Sequence, residues 1–233
     1  MDDLSFDPSA QPEAPASAAP SLLPWEDREN FPAFWSRVGG MFQLLFKDPI
    51  AFFEHVPSGA GFSRPWTFIL LCAVPIFLIM GLIFMFFGMA FLAGLAQERG
   101  ADKAILAFLP FILLAILALM PLFMFLAMLI NGSLHHLFLW MWGGTKAGVS
   151  VEQTIRATGY ANAFLQIGGL IPYLGILIQL AGLVVLGMGL ARMHRTDTWR
   201  GVCAVLTPLF LICCCLVVAM FFIIGLAASG KLN

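Results

Sequence analysis

The chain has 233 residues, of which 61% are hydrophobic and 11% charged, with a mean hydropathy of +0.93 and a formal net charge of −1. That composition is too apolar and too poor in charge for a solvated domain, and no basic tract suits nucleic acid. It allows one membrane domain with a modest polar arm.

Residues 1–30 are rich in Ala, Pro, Ser and Asp and cannot bury enough apolar surface to offset the entropy of ordering, so a disordered arm is predicted. Acidic residues stand where a signal peptide needs Lys or Arg, and no apolar core follows at once, which keeps this arm on the cytoplasmic side. Next, Phe34, Trp35, Val38, Met41, Phe42, Leu45 and Phe46 recur at helical spacing, with Ser36, Arg37, Gly40, Gln43 and Lys47 opposite and only Leu44 out of pattern. Asp48-Pro49 reads as an N-cap followed by proline at the first helical position, opening a short second helix over 49–56 with Phe52 and Phe53. Residues 31–64 are therefore expected to be interfacial amphipathic helices, and 65–230 the transmembrane domain.

A bilayer core of about 30 Å takes roughly 20 apolar residues as helix, and only structures that satisfy their own backbone groups cross it. The first span is predicted over 66–96, with Gly81 and Gly88 one heptad apart. The second begins after Lys103, crosses Pro110 and Pro121, and continues as NGSLHHLFLWMW, whose tryptophans suit the interface. Residues 151–166 form a helix entering the membrane, and Gly168, Gly169 and Pro172 leave this third span short or broken. The fourth span, 173–191, carries Gly175, Gly182 and Gly189 in heptad steps, a face cleared for close helix packing. The fifth runs over 202–228. An all-α polytopic bundle of about five transmembrane helices results. With the N-terminus inside, the arginines and lysines gather on the cytoplasmic side, Arg192, Arg195 and Arg200 among them, while Arg99, Lys103 and Lys231 lie outside. Such a chain fits a bacterial inner membrane.

Chemistry-bearing residues are few. Asn131, His135 and His136 form a cluster near one interface, but neighbouring helical residues face different ways, so the histidines cannot share a ligand without a partner such as His194. Hydrogen bonding at the interface is the favoured role. Thr158, Asn162 and Gln166 stand at i, i+4 and i+8, either as an interhelical hydrogen-bond seam or as the lining of a polar path. No acidic residue lies inside a predicted span, which argues against proton or cation coupling. Of the five cysteines, Cys72 and Cys203 stand alone and Cys213, Cys214 and Cys215 are adjacent, with neither metal-ligand spacing nor a disulfide framework. Ser133 lacks the context of a nucleophile. No catalytic residue, cofactor or metal site is expected.

The order of KDPIAFFEHV, SLHHLFLWMWGG, TIRATGYANAF with a following IPYLG, then GLARMH and GVCAVLTP, resembles the Yip (Ypt-interacting protein) domain family over residues 47–208. The resemblance implies a small protein of about five spans. In eukaryotes such proteins are associated with Rab-type GTPases and with vesicle formation, and they carry an Asp-Leu-Tyr-Gly-Pro-like motif before the first span. Here GFSRPWTF stands in its place and only Pro65 matches, which argues against a Rab-type partner. The expected function is a non-enzymatic scaffold, partner adaptor or membrane-shaping element, with the bilayer, other membrane proteins or further copies of the chain as partners. A small-solute or lipid transporter using the polar stripe is the alternative.

Overall fold

The computed structural model describes residues 22–88, 90, 91, 94, 103–146, 148–170 and 174–228. The arm before residue 22, the polar break at 97–102, residues 171–173 and the tail with Lys231 lie outside them. The described residues form α1 (Phe34–Lys47), a tight 3-10 turn (Ala51–His55), α2 (Ser63–Ile83) continued by a π-helical turn (Phe84–Gly88), and α3 (Lys103–Met141). Then follow α4 (Val151–Gly168), α5 (Leu174–Met193) and α6 (Thr198–Ala228).

The amphipathic helix forms as its spacing requires. Asp48 then does what its position suggests, its carboxylate accepting from the backbone N–H of Ile50 at 3.2 Å and of Ala51 at 2.9 Å, although the helix it opens is only the 3-10 turn. Phe52 and Phe53 on that turn are fully buried, and with Phe68, Tyr160 and Phe164 they make the aromatic centre of the fold, ring centroids 5.3–6.3 Å apart. The expectation of disorder fails for residues 22–30: Leu23 and Trp25 are buried in this same core. Composition alone missed them because two apolar side chains in a polar stretch suffice when a ready-made groove receives them.

Among the described residues, four helices are long and apolar enough to cross a membrane: Ser63–Gly88, Pro110–Met141, Leu174–Met193 and Thr198–Leu226. The predicted third span differs. In α4 every side chain from Thr154 to Ala161 is buried, including Arg156, so this helix is the polar centre of the bundle. It pairs with α5 as an antiparallel hairpin, joined at one end where Gly169 meets Gly175 and at the other where Thr154 meets His194. Both open ends of the hairpin lie together, so it leaves the crossing parity of α2, α3 and α6 unchanged.

Helix α3 is 39 residues long, about 58 Å at 1.5 Å per residue, nearly twice a bilayer core. It does not break at NGSLHHLFLWMW. That segment stays helical because α4 covers its inner side, where Gly132 lies so near Ile155 that a Cβ would come within 2.5 Å of the Ile155 Cα. Burial is concentrated along this half of α3 and around α4, whereas Phe86 and Phe87 of the π-helical turn after α2, Phe108 and Phe111 of α3, and Phe221 and Phe222 of α6 are exposed. A surface of that kind is stable against lipid and unstable against water.

Close approach between helices rests on glycine. A Cβ on Gly182 would strike Leu165, and one on Gly189 would strike the Phe53 ring, each at 2.0 Å. The tightest backbone crossing joins α5 to α6: a Cβ on Gly201 would lie 2.1 Å from the Gly187 carbonyl oxygen, and one on Gly187 would lie 2.6 Å from the Val202 Cα. Backbone cannot swing aside as a side chain does. We therefore expect Gly187→Ala and Gly201→Ala each to cost about 1–3 kcal/mol, read as a lower melting temperature in detergent. Gly225→Ala, with nothing within 4 Å, should leave the melt unchanged or raise it.

Candidate functional site: a buried polar layer

The first turns of α4 organise this layer. Ser150 caps the helix, its hydroxyl accepting from Gln153 N–H at 3.1 Å. Glu152 accepts from the Gly61 N–H at 2.7 Å, and the Gln153 amide donates to the Val56 carbonyl at 2.7 Å. One helix end thus clasps the loop that leads into α2.

Arg156, one turn further on, is wholly buried. Its guanidinium donates to the Gly61 carbonyl and to Glu26, and the Tyr160 hydroxyl donates to the same Glu26 oxygen at 2.6 Å. Beside it the Trp25 indole donates to the Arg64 carbonyl at 3.0 Å, while Arg37 of α1 stacks over the Trp25 ring at 5.7 Å. A guanidinium and a carboxylate removed from water are tolerated only when paired and hydrogen-bonded. Here Glu26 supplies the charge and the Gly61 carbonyl a second acceptor, while the Arg156 Nε has no partner among the described residues. The N-terminal segment is therefore strapped to the bundle by charge at Glu26 and by apolar burial at Leu23 and Trp25.

The histidines fall on the other side of α4. His135 Nδ1 shares a hydrogen bond with Thr158 Oγ1 at 3.3 Å, and His136 Nδ1 shares one with Thr154 Oγ1 at 2.9 Å. Thr154 Oγ1 also lies 3.0 Å from His194 Nε2, and the His136 and His194 rings stand 5.6 Å apart. Sequence reasoning named His194 as the partner the pair lacked. The structure brings it to His136 through Thr154, although His136 stands within α3 and His194 just past the end of α5. Among the described residues, no three His, Cys, Asp or Glu side chains converge as metal ligands would.

The predicted stripe divides. Thr158 is buried against His135, whereas Asn162 and Gln166 line a pocket of about 260 Å³ with Asn131, Gln179 and the apolar Ile69, Met124 and Met128. Gln166 is held there by its amide against the Met124 sulfur at 3.4 Å, and Gln179 donates to the Leu165 carbonyl at 2.6 Å. Asn131 belongs with this pocket, one turn away from the His135 and His136 bonds. Gly175, Gly182 and Gly189 all face neighbours, the first against Gly169 just past α4, the second against Leu165 of α4 and the last against Phe53 of the 3-10 turn.

The arrangement defines a polytopic helical membrane protein with a strapped, hydrogen-bonded polar layer at one end. A family model for the Yip1 domain matches residues 42–220, and the chain belongs to that family. No curated protein and no solved structure is found to match it.

Glu26, Arg156 and Tyr160 were not singled out by sequence reasoning. The signal available was Arg156 and Tyr160 at i, i+4 in a helix otherwise poor in charge; nothing local marks Glu26, which lies 130 residues from its partner.

Two outcomes are expected. Glu26→Ala should cost about 3–5 kcal/mol because it leaves Arg156 buried and unpaired, and Arg156→Met in the same chain should recover part of the loss. Thermal melts in detergent, with proteolysis of the N-terminal segment, read both. Burial, and secondly the nearby His136, pushes His194 from 6.5 down to about 4. Between those values the unfolded chain takes up a proton that folded His194 refuses, so stability present above pH 6.5 falls towards pH 4. A His194→Asn variant should show a smaller drop in melting temperature over that range.

Proposed function

We propose that the protein is a non-enzymatic membrane scaffold that shapes the bilayer through α1, a trafficking-like role within the Yip1 domain family. The observation that carries this reading is the two-sided apolar surface of α1. Met41 is buried and Val38, Leu44 and Leu45 pack on the core, with Phe42 edge-on to Phe164 at 5.1 Å. Trp35 and Phe46, three turns apart on nearly one line, are 76% and 81% exposed. The sequence presents all of these residues but Leu44 as one stripe; packing uses one flank of it and leaves the other free. An anchored helix with an aromatic flank inserts into one leaflet only, and such asymmetric insertion favours curvature.

Division of the polar stripe supports a scaffold over solute transport, because Thr158 is engaged by His135 and the pocket at Asn162 and Gln166 is small, about 260 Å³. In this reading the end that bears Arg156, Arg192 and Arg200 faces the cytoplasm of a bacterial inner membrane, with Glu26 and α1 on the same side. The arginine and lysine bias supports that orientation.

The test uses the full chain in vesicles of phosphatidylcholine with phosphatidylglycerol. Lipids brominated near the headgroup should quench wild-type fluorescence more than that of Trp35→Phe, and Trp35→Ala with Phe46→Ala should abolish the tubes or small vesicles that wild type generates at high protein-to-lipid ratio. Equal quenching of wild type and Trp35→Phe, or unchanged vesicle shape, overturns the reading. A cysteine at Thr198 in a cysteine-free chain should resist impermeant label from outside the cell; its labelling would reverse the orientation.

A further inference from the structure

We propose that the cleft of about 910 Å³ between the 3-10 turn, the α3–α4 loop and the C-terminal end of α5 binds a phosphate group, held by Lys146 and Arg195 with His194 at its floor. This proposal does not depend on whether α1 inserts into a leaflet.

Charge points to an anion. Lys146, Arg192 and Arg195 line the cleft against a single carboxylate among its lining residues, Glu54. Glu54 is taken by Arg192, so Lys146 and Arg195 form no ion pair among the described residues and face the same space uncompensated. A metal ion or organic cation would be repelled by such a lining. A phosphate monoester carries a charge of about −1.5 to −2 at neutral pH and several acceptor oxygens, which matches the two unpaired cations.

An orphaned polar atom points the same way. His194 is fully buried as a residue and lines the cleft; Thr154 engages its Nε2, but Nδ1 has no partner. A buried ring nitrogen without a partner is costly. With Thr154 donating to the Ser150 carbonyl at 3.4 Å, the ring offers Nδ1–H to a phosphate oxygen as the imidazolium, a form that the phosphate charge itself favours. The Ser58 and Thr196 hydroxyls line the same cleft as further donors.

The backbone at Arg195 is the third observation. Helix α5 ends with the Thr196 N–H donating to the Ala191 carbonyl at 2.9 Å and the Arg195 N–H to the Arg192 carbonyl at 3.0 Å, the paired bonds of a Schellman motif. Its left-handed position normally takes glycine, or asparagine. Here Arg195 occupies it with φ 50°, so the chain tolerates an unfavourable conformation to keep a cation at the mouth of the cleft.

Two sources share this chemistry, a phosphomonoester lipid headgroup and a soluble phosphate, and the experiment separates them. The full chain in detergent is titrated with inorganic phosphate by calorimetry at constant ionic strength. The full chain in phosphatidylcholine nanodiscs with or without phosphatidic acid is examined by native mass spectrometry for retained lipid. At least one probe should bind saturably, and Lys146→Gln with Arg195→Asn should weaken it at least about tenfold. Arg28→Gln, a cation outside the cleft, should change nothing. Retention of phosphatidic acid without phosphate binding assigns the headgroup; phosphate binding that displaces the lipid assigns the soluble ester. Both replaced side chains are exposed and asparagine suits the left-handed position, so the fold should survive; Lys146→Gln alone, which leaves the turn untouched, supplies the same readout if it does not. Binding of neither probe, equal binding by the double variant, or an equal loss in Arg28→Gln overturns the proposal.

Discussion

The burial of Arg156 sets the terms for the packed end of the molecule. A guanidinium removed from water in the centre of a bundle must find both a counter-charge and acceptors. The one carboxylate α4 has near that position, Glu152, is engaged by the Gly61 N–H, so the counter-charge and acceptor come from the segment before α1 and from the loop before α2. With Glu26 held there, Leu23 and Trp25 lie buried in the same core, Trp25 against the Phe68 ring at 5.2 Å. The loop is fixed in the same act, since Gly61 is bonded through its carbonyl to Arg156 and through its N–H to Glu152.

That constraint explains why the chain is divided lengthwise. Side chains that meet α4 are buried and often polar, while the outer halves of α2, α3 and α6 present phenylalanine and aliphatic side chains to their surroundings. In lipid the second surface has no cost, because hydrocarbon is as apolar as the side chains. The close packing that remains comes from small residues at the crossings, Gly132 against Ile155 and Gly187 against Gly201. The role proposed for α1 would need such a layer, since an amphipathic helix tethered only by a flexible chain transmits little force.

How far the sequence could be read depended on the range of the interactions. Helical periodicity is local, and it predicted α1 to within a residue; Asp48 as a cap was equally legible, whereas the burial of Phe52 and Phe53 in the core was not, because residues 31–64 read as interfacial. The histidine cluster was legible as residue types but not as a geometry. Its bonds to Thr154, Thr158 and His194 cross between three helices, and Thr158 leaves the stripe it was grouped with because His135 reaches it first.

By itself, the sequence determined that the chain is an all-helical membrane protein with an amphipathic helix before its spans, because hydropathy and a 3.6-residue period are properties of consecutive residues. Its motifs in order also carried the family. Only the tertiary structure decided that residues 22–30 are folded, that α4 forms the polar centre of a hairpin, and that Lys146, His194 and Arg195 share one cleft. Each of these turns on a partner distant along the chain, such as Glu26 for Arg156, and the energy of a buried charge depends on what surrounds it in space.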